Sequence, residues 1–313
     1  MTEAARPVRI AVFGMRCAFT DAVVARLLAD DPTAGNMPVE IAAFVIAMPG
    51  LGALHTRLPG RKQGAGEVRI LGDRSRLRDG DLRGWLESLQ LDAVVVACFP
   101  WKIPGWARSV APAGCLNVHP SLLPDGRGPE PLFWAFRWRL AETGVTIHLI
   151  DSGWDTGPIV AQRTLAIPET ATVATLERSL AEMGGDLLRE VLPQARAGLL
   201  AATPQDPDAG RYAPFPAEKD LQIDTSWTAA DAARFIRAVV PTYGPVTVRV
   251  LATGKLYAVS DAVAILPLDT DAPSGRREGS SLTVAFANGT LLLQPATAPV
   301  SPLHLHPARP SRD

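Results

Sequence analysis

Asn117 and His119 stand two positions apart at the end of the apolar run GCLNVH, and Asp155 follows in the glycine-bearing stretch DSGWDTG. Side chains two apart on a strand project from the same face. A carboxamide donor beside an imidazole can hold a developing oxyanion and move a proton within one small space. Taken alone, an Asn-x-His pair at a strand end equally suits a hydrogen-bonded structural role. Asp155 lies between Trp154 and a Thr156-Gly157 turn, well placed to face a neighbouring strand end. There its carboxylate would raise the imidazole's pKa and fix its orientation. Asp151 is the competing acid, and its alternative role is a cap or turn residue of the same loop.

The elements that must position these groups read as alternating strands and helices. Strands are expected at Arg9–Gly14, Val39–Met48, Val68–Leu71, Asp92–Phe99 and Gly114–His119, with helices at Asp21–Ala29 and Asp79–Gln90. The run DAVVVACF is continuously apolar after its first residue, as a central parallel strand buried on both faces should be. Strand–helix alternation of this kind implies an α/β, doubly wound, Rossmann-like parallel sheet, whose ligand crevice lies outside the carboxyl ends of the strands. Asn117 and His119 sit where such a strand runs out. A helix at Pro131–Leu140, strands at Val145–Ile150 and Ile159–Leu165, and a long helical region at Val173–Leu200 complete a first domain of residues 1–200. Gly184-Gly185 would kink or break that last helix.

Residues 201–216 (AATPQDPDAGRYAPFP) have the composition of a linker. A smaller, mostly β, barrel-like domain is expected over 217–300. It contains a helix at Ala229–Val240 capped by Thr228, and strands at Val246–Leu251, Leu256–Ala264, Ser281–Ala287 and Thr290–Gln294. Asn288-Gly289 signals a hairpin between the last two. The insert Asp269–Ser280 reads as a mobile loop, and the Pro-rich tail 301–313 as disordered.

Composition excludes several classes. Of the 313 residues 47% are apolar and 20% charged, with a net charge of −1, so no global basic field draws the chain to nucleic acid or anionic membranes. No apolar run reaches the roughly 18 residues of a membrane span. Cys17, Cys98 and Cys115 are too scattered for a disulfide framework or zinc site and read as buried free thiols. The N-terminal MTEAARPVRIAVFG lacks a signal-peptide layout, and a cytoplasmic protein is expected.

The stretch from Gly114 to Ile167, with NVHPSLLP, then RGPEP, then DTGPI, resembles the folate-dependent formyltransferases in motif order and spacing. That family includes methionyl-tRNA, glycinamide ribonucleotide, amino-sugar and siderophore formyltransferases. The resemblance extends weakly to RIAVFG, and GRYAPFPAEKDLQIDTSWTAADAARFIRAV is similar to the start of the C-terminal domain of the tRNA type. It implies that 10-formyltetrahydrofolate donates a formyl group to a primary amine, without a metal, at a catalytic set of Asn117, His119 and Asp155. Asn117 and a protonated His119 would stabilise the oxyanion, and Asp155 would orient His119 and help remove the amine's proton. Ser121, Leu122, Leu123 and Pro124 would lie against the folate, the loop carrying Phe99, Trp101 and Ile103 would form another wall, and Asp151 would also contact the folate. Leu122 and Leu123 equally suit a core role. His148 matches a polar position in parts of the family, or a satisfied core histidine.

The acceptor is read from the charge pattern. The tRNA enzymes carry a basic loop after the second strand, since phosphate contacts supply most of the affinity for nucleic acid. Here that stretch holds Arg57, Arg61 and Lys62 in a different arrangement, and the basic residues of the second domain are matched by acids. The segment after Pro124 is DGRGPEP in place of the RWRGAAP-like form of tRNA enzymes. These departures favour a small amine such as an amino sugar, a hydroxyornithine-like side chain or a carrier-bound amino acid. Methionyl-tRNA formylation and hydrolysis of formyltetrahydrofolate are the alternatives.

Overall fold

In the computed structural model, which describes residues 6–29, 38–50, 66–268 and 275–297, the chain forms two sheets sharing a continuous core. The first sheet has seven strands: β1 (Val8–Met15), β2 (Val39–Ala47), β3 (Glu67–Leu71), β4 (Ala93–Ala97), β5 (Cys115–His119), β6 (Glu142–Leu149) and β7 (Ile159–Ala166), in the order β3-β2-β1-β4-β5-β6-β7. The first five are parallel. β6 runs antiparallel to β5 and β7 antiparallel to β6, so the expected parallel sheet carries one reversed strand near its edge. An apolar run shows that a strand is buried but carries no sign of its direction. The consequence for the site is direct, because the β5–β6 register sets Asn117 opposite His148 and His119 opposite Thr146.

Helices α1 (Ala18–Leu27), α2 (Gly80–Ser88), α3 (Gly105–Arg108), α4 (Pro131–Arg137) and α5 (Val173–Arg196) accompany this sheet. α1 begins before the expected Asp21, because Phe19 and Thr20 are buried in its first turn. On one face, Val12, Val95, Leu116 and Val118 join the cluster built with α1, α4 and α5. On the other, Phe13, Val94, Val96 and Cys115 pack with Leu82, Leu86 and Ala107 of α2 and α3. Alternation along β5 therefore turns Cys115, Asn117 and His119 away from α5.

α5 starts at a capping box in which Thr172 and Thr175 satisfy one another's backbone N–H groups. It runs unbroken through Gly184-Gly185, where a kink was expected. The glycines serve close packing instead: a Cβ on Gly184 would lie 2.5 Å from Val118 Cγ1, and one on Gly185 2.8 Å from the Val23 carbonyl oxygen. The helix ends at Arg196, short of Leu200, with Gly198 in the left-handed region just beyond.

The second sheet contains β8 (Gln222–Asp224), β9 (Val246–Arg249), β10 (Leu256–Leu266), β11 (Arg276–Glu278), β12 (Ser281–Phe286) and β13 (Gly289–Pro295), ordered β11-β12-β13-β10-β9-β8. It packs on α6 (Ala229–Tyr243), whose N-cap Thr228 accepts from the Asp231 N–H at 3.0 Å. The hairpin loop is Ala287-Asn288, one residue earlier than expected, with Gly289 paired to Phe286. β11 replaces part of the loop expected at Asp269–Ser280, since Arg276 to Glu278 find partners in β12. Phe133 of α4 meets Phe235 and Tyr243 of α6 at centroid distances of 5.9 and 5.0 Å, joining the two parts.

Residues 201–216 do not behave as a free linker. Ala213 is fully buried, and Thr203 pairs with Ile159 at the margin of the first sheet. All three cysteines are free thiols; Cys115 is buried, whereas Cys17 and Cys98 are only half-buried. The basic stretch carrying Arg57, Arg61 and Lys62, residues 269–274 of the insert and the tail 301–313 lie outside the described residues.

Candidate active site

A cleft opens at the carboxyl ends of β4 and β5. Its walls are Val96, Phe99, Trp101, Lys102 and Ile103 on one side and Ile150 to Asp155 on the other, with Asn117 and His148 at its base. Phe99 packs edge-on to Trp101, and Lys102 reaches across to donate to the Ser152 carbonyl at 3.1 Å. Phe99, Trp101, Ile103 and Asp151 thus line one cleft with Asn117 and Asp155. Apolar walls with a polar loop edge fit a planar ligand held by a few hydrogen bonds. Asp151 also ties its own loop, accepting from Gly153 N–H and Thr156 Oγ1, both at 2.8 Å.

Ser121 to Pro124 do not line this cleft. Ser121 turns its hydroxyl into its own turn, donating to the Asp125 carbonyl at 2.7 Å. Leu123 is buried beneath β6, with its N–H on Thr146 Oγ1 and its carbonyl accepting from Gln162. Leu122 packs close over Gly144, and the Leu123–Pro124 peptide is cis. The segment forms the turn that follows His119 at the end of β5.

Asn117, His119 and Asp155 converge. His119 is 5% exposed, and its Nε2 lies 2.8 Å from the Gly126 carbonyl oxygen. A carbonyl can only accept, so Nε2 carries the proton in the neutral ring and Nδ1 keeps the lone pair. Nδ1 faces Asp155 Oδ1 at 3.7 Å. Gly126, at φ +79°, is therefore what orients the imidazole. His148 is fixed similarly: its Nδ1 donates to the Leu149 carbonyl at 2.9 Å, leaving Nε2 to accept from Asn117 Nδ2 at 3.0 Å. The same Asn117 amide donates to Asp155 Oδ1 at the longer distance of 3.4 Å.

Asp155 occupies the left-handed region at φ +57°. Its Oδ2 accepts from the Gly128 N–H at 2.9 Å. Gly128 has φ +113°, and a Cβ there would lie 2.7 Å from the Ala213 carbonyl oxygen and 2.9 Å from the Tyr212 ring. Only glycine meets both requirements.

The electrostatics separate Asp155 and His119. Burial pushes the Asp155 carboxyl up, but the facing His119 and His148 and the Gly128 N–H outweigh it and hold the group at about 2. Burial pushes the His119 imidazole below its ordinary value, and this outweighs the opposing pull of Asp155 and the Gly126 carbonyl. Asp155 does pull the His119 pKa up, as expected, but desolvation outweighs it, so the resting imidazole is neutral and not the protonated ring expected. At neutral pH the site holds an ionised carboxylate beside a neutral imidazole, a base with its counter-charge already in place. Among the described residues no cluster of three or more His, Cys, Asp or Glu could hold a metal ion.

Sequence reasoning missed Gly126 and Gly128 as site residues, and it left His148 between two roles. The Gly-x-Gly spacing in DGRGPEP was the available signal, two permissive backbone positions immediately after the histidine turn.

Asn117, His119 and Asp155 thus meet at the carboxyl edge of the seven-stranded sheet. The family model described as formyl transferase matches residues 41–192. The methionyl-tRNA formyltransferase of Anaeromyxobacter dehalogenans is 36% identical over 70% of this chain and 70% of its own length. That of Paracidovorax citrulli is 38% identical over 64% of this chain but only 60% of its own length. Among solved structures, the sugar 3N-formyltransferase WlaRD superposes with a TM-score of 0.57 at 14% identity, covering 94% of this chain and all of that one. HypX from Aquifex aeolicus, in complex with tetrahydrofolic acid, gives a TM-score of 0.55 at 18% identity over 91% of this chain and 43% of its own. The chain belongs to the formyltransferase family.

Proposed function

We propose that this chain is an N-formyltransferase that moves the formyl group of 10-formyltetrahydrofolate to a primary amine of a small molecule. The observation that carries the reaction is the convergence of Asn117 and ionised Asp155, which line the cleft, with the buried neutral His119 facing Asp155. The donor supplies the formyl carbon when it occupies the cleft between Phe99, Trp101 and the Ile150–Asp155 loop. Asn117 Nδ2 releases its longer bond to Asp155 and donates to the formyl oxygen as the amine adds and negative charge develops there. His119 Nδ1 takes the amine's proton and becomes an imidazolium facing Asp155. The same proton is then delivered to the departing nitrogen of the donor as its bond to the formyl carbon breaks, and His119 returns to its neutral state.

The small-molecule reading rests on how the cations beside the site are engaged. Arg127 is buried, donating to Gln205 Oε1 and to the carbonyls of Asp206, Pro207 and Ala209. Arg211 pairs with Asp125 and stacks on the Trp138 ring at 4.0 Å. Arg234 is buried against the Leu140 carbonyl, and Arg139 faces Asp231 at 3.9 Å. Guanidinium groups with internal partners are poorly placed to neutralise phosphates.

Methionyl-tRNA is the second reading, favoured by the 36% identity to a methionyl-tRNA formyltransferase over 70% of both chains. Purified protein given 10-formyltetrahydrofolate with a panel of amines, or with charged initiator tRNA, separates the two. Formylation of an amino sugar, a hydroxyornithine or a carrier-bound amino acid supports the proposal. Formylation of the tRNA alone replaces it. Donor loss without any amine would identify a hydrolase.

A further inference from the structure

We propose that Gln205 is a positioning residue that sets Asp155 against His119, acting within a closed hydrogen-bonded circuit through Arg127 and Gly128. The inference rests on the reading of Asp155 as part of the catalytic set.

The circuit is continuous. The Gln205 carboxamide donates both of its hydrogens, to the Asp155 carbonyl at 2.9 Å and to the Gly157 carbonyl at 2.7 Å. Its oxygen accepts from Arg127 Nε and Nη2 at 3.0 and 2.8 Å. Arg127 is followed by Gly128, whose N–H holds the carboxylate end of Asp155 at 2.9 Å. Asp155 is thereby gripped at its backbone by Gln205 and at its side chain by Gly128, and adjacent residues of one segment serve both grips.

The chemistry of each member suits its place. Asp155 sits at φ +57°, in a region that L-residues rarely adopt and that persists only where the surroundings impose it. Gln205 clamps the carbonyls on either side of Thr156 and so holds the bend in which that conformation occurs. Only a carboxamide offers two donors to the carbonyls and one acceptor to the guanidinium. Arg127 in turn fixes the Gln205 segment, donating to the Asp206 carbonyl at 2.8 Å and the Pro207 carbonyl at 3.2 Å. The segment that composition marks as a linker is therefore a brace across the catalytic loop.

Gln205→Leu removes all four bonds, and Gln205→Glu keeps the acceptor while setting oxygen against two carbonyls. Both variants, Arg127→Met and the double Gln205→Leu/Arg127→Met variant are compared with wild type by steady-state kinetics, thermal unfolding and NMR titration of the His119 ring. The expected result is a fall in kcat of about 10–100-fold, as for a displacement of about 1 Å at a reacting group. KM for 10-formyltetrahydrofolate stays near wild type and the variants remain folded at the assay temperature despite a lower unfolding midpoint, and His119 titrates at lower pH as Asp155 moves off. The double variant loses no more than the worse single one, because residues of one network are not additive. Wild-type kcat and an unmoved His119 titration in both Gln205 variants would overturn the proposal. So would a kcat loss that only tracks the unfolded fraction. Should wild type show no amine-dependent turnover, the functional reading fails, and the His119 titration still decides whether Gln205 positions Asp155.

Discussion

His119 and Asp155 face each other at 3.7 Å, Nδ1 to Oδ1, while the opposite ring nitrogen of His119 is bound to the Gly126 carbonyl at 2.8 Å. The pair is not a resting ion pair. The imidazole is pushed down by burial and the carboxyl is held at about 2, so the charge on His119 is awaited by Asp155 before it forms. In the proposed reaction this arrangement lets His119 serve as the base at neutral pH.

The pH profile follows with a definite sign. Neutral His119 is the competent form and its pKa lies below 6.5, so kcat/KM should be flat at neutral pH and fall with acid only below that value. Asp155→Asn removes the group that opposes the burial effect. The acid limb should then move to lower pH while kcat itself drops, by roughly 10²–10⁴. Rate profiles of the two proteins from pH 5 to 9 check both statements.

Replacing Asn117 with Ala removes the proposed oxyanion donor and should lower kcat by roughly 10²–10³, with little change in KM for the donor. Single-turnover formyl transfer measures it. A drop in affinity with unchanged kcat would assign Asn117 to binding instead.

Stability should decline with acid in two steps. For His119 the neutral form is favoured in the fold, so its contribution is complete above 6.5 and is lost as pH falls through its lower folded pKa. For Asp155 the contribution is present above 3.8 and is lost as pH falls toward 2, about 2 kcal/mol in all. Chemical denaturation between pH 3 and 8 should show the first step in wild type and not in His119→Gln.

Gly184→Ala tests how the core holds the site. The added Cβ would lie 2.5 Å from Val118 Cγ1, and Val118 stands between Asn117 and His119 on β5. Overpacking there should cost about 1–3 kcal/mol and lower activity along with stability, measured by denaturant titration and initial rates on the same samples.

Much of this was legible in the sequence for identifiable reasons. Strand alternation alone places Asn117 and His119 on one face, and the Thr156-Gly157 turn marks Asp155 as a carboxylate able to face a neighbouring strand end, though not that it would be buried there. What stayed hidden depends on contacts between distant parts of the chain. Arg127 and Gln205 are 78 residues apart, and nothing local to either announces the other. The direction of β6 is set by its pairing with β5, so the approach of His148 to Asn117 could not be read from an apolar run. Gly184 and Gly185 illustrate the opposite error: local propensity suggests a break, whereas close approach to Val118 and Val23 explains both residues without one.

The most direct test is the loss of 10-formyltetrahydrofolate with and without an accepted amine, in wild type and His119→Ala. Amine-dependent donor loss in wild type, reduced at least about 10²-fold in the variant, is the predicted result. Near-normal turnover in His119→Ala, or donor loss indifferent to the amine, would contradict the proposed reaction at this site.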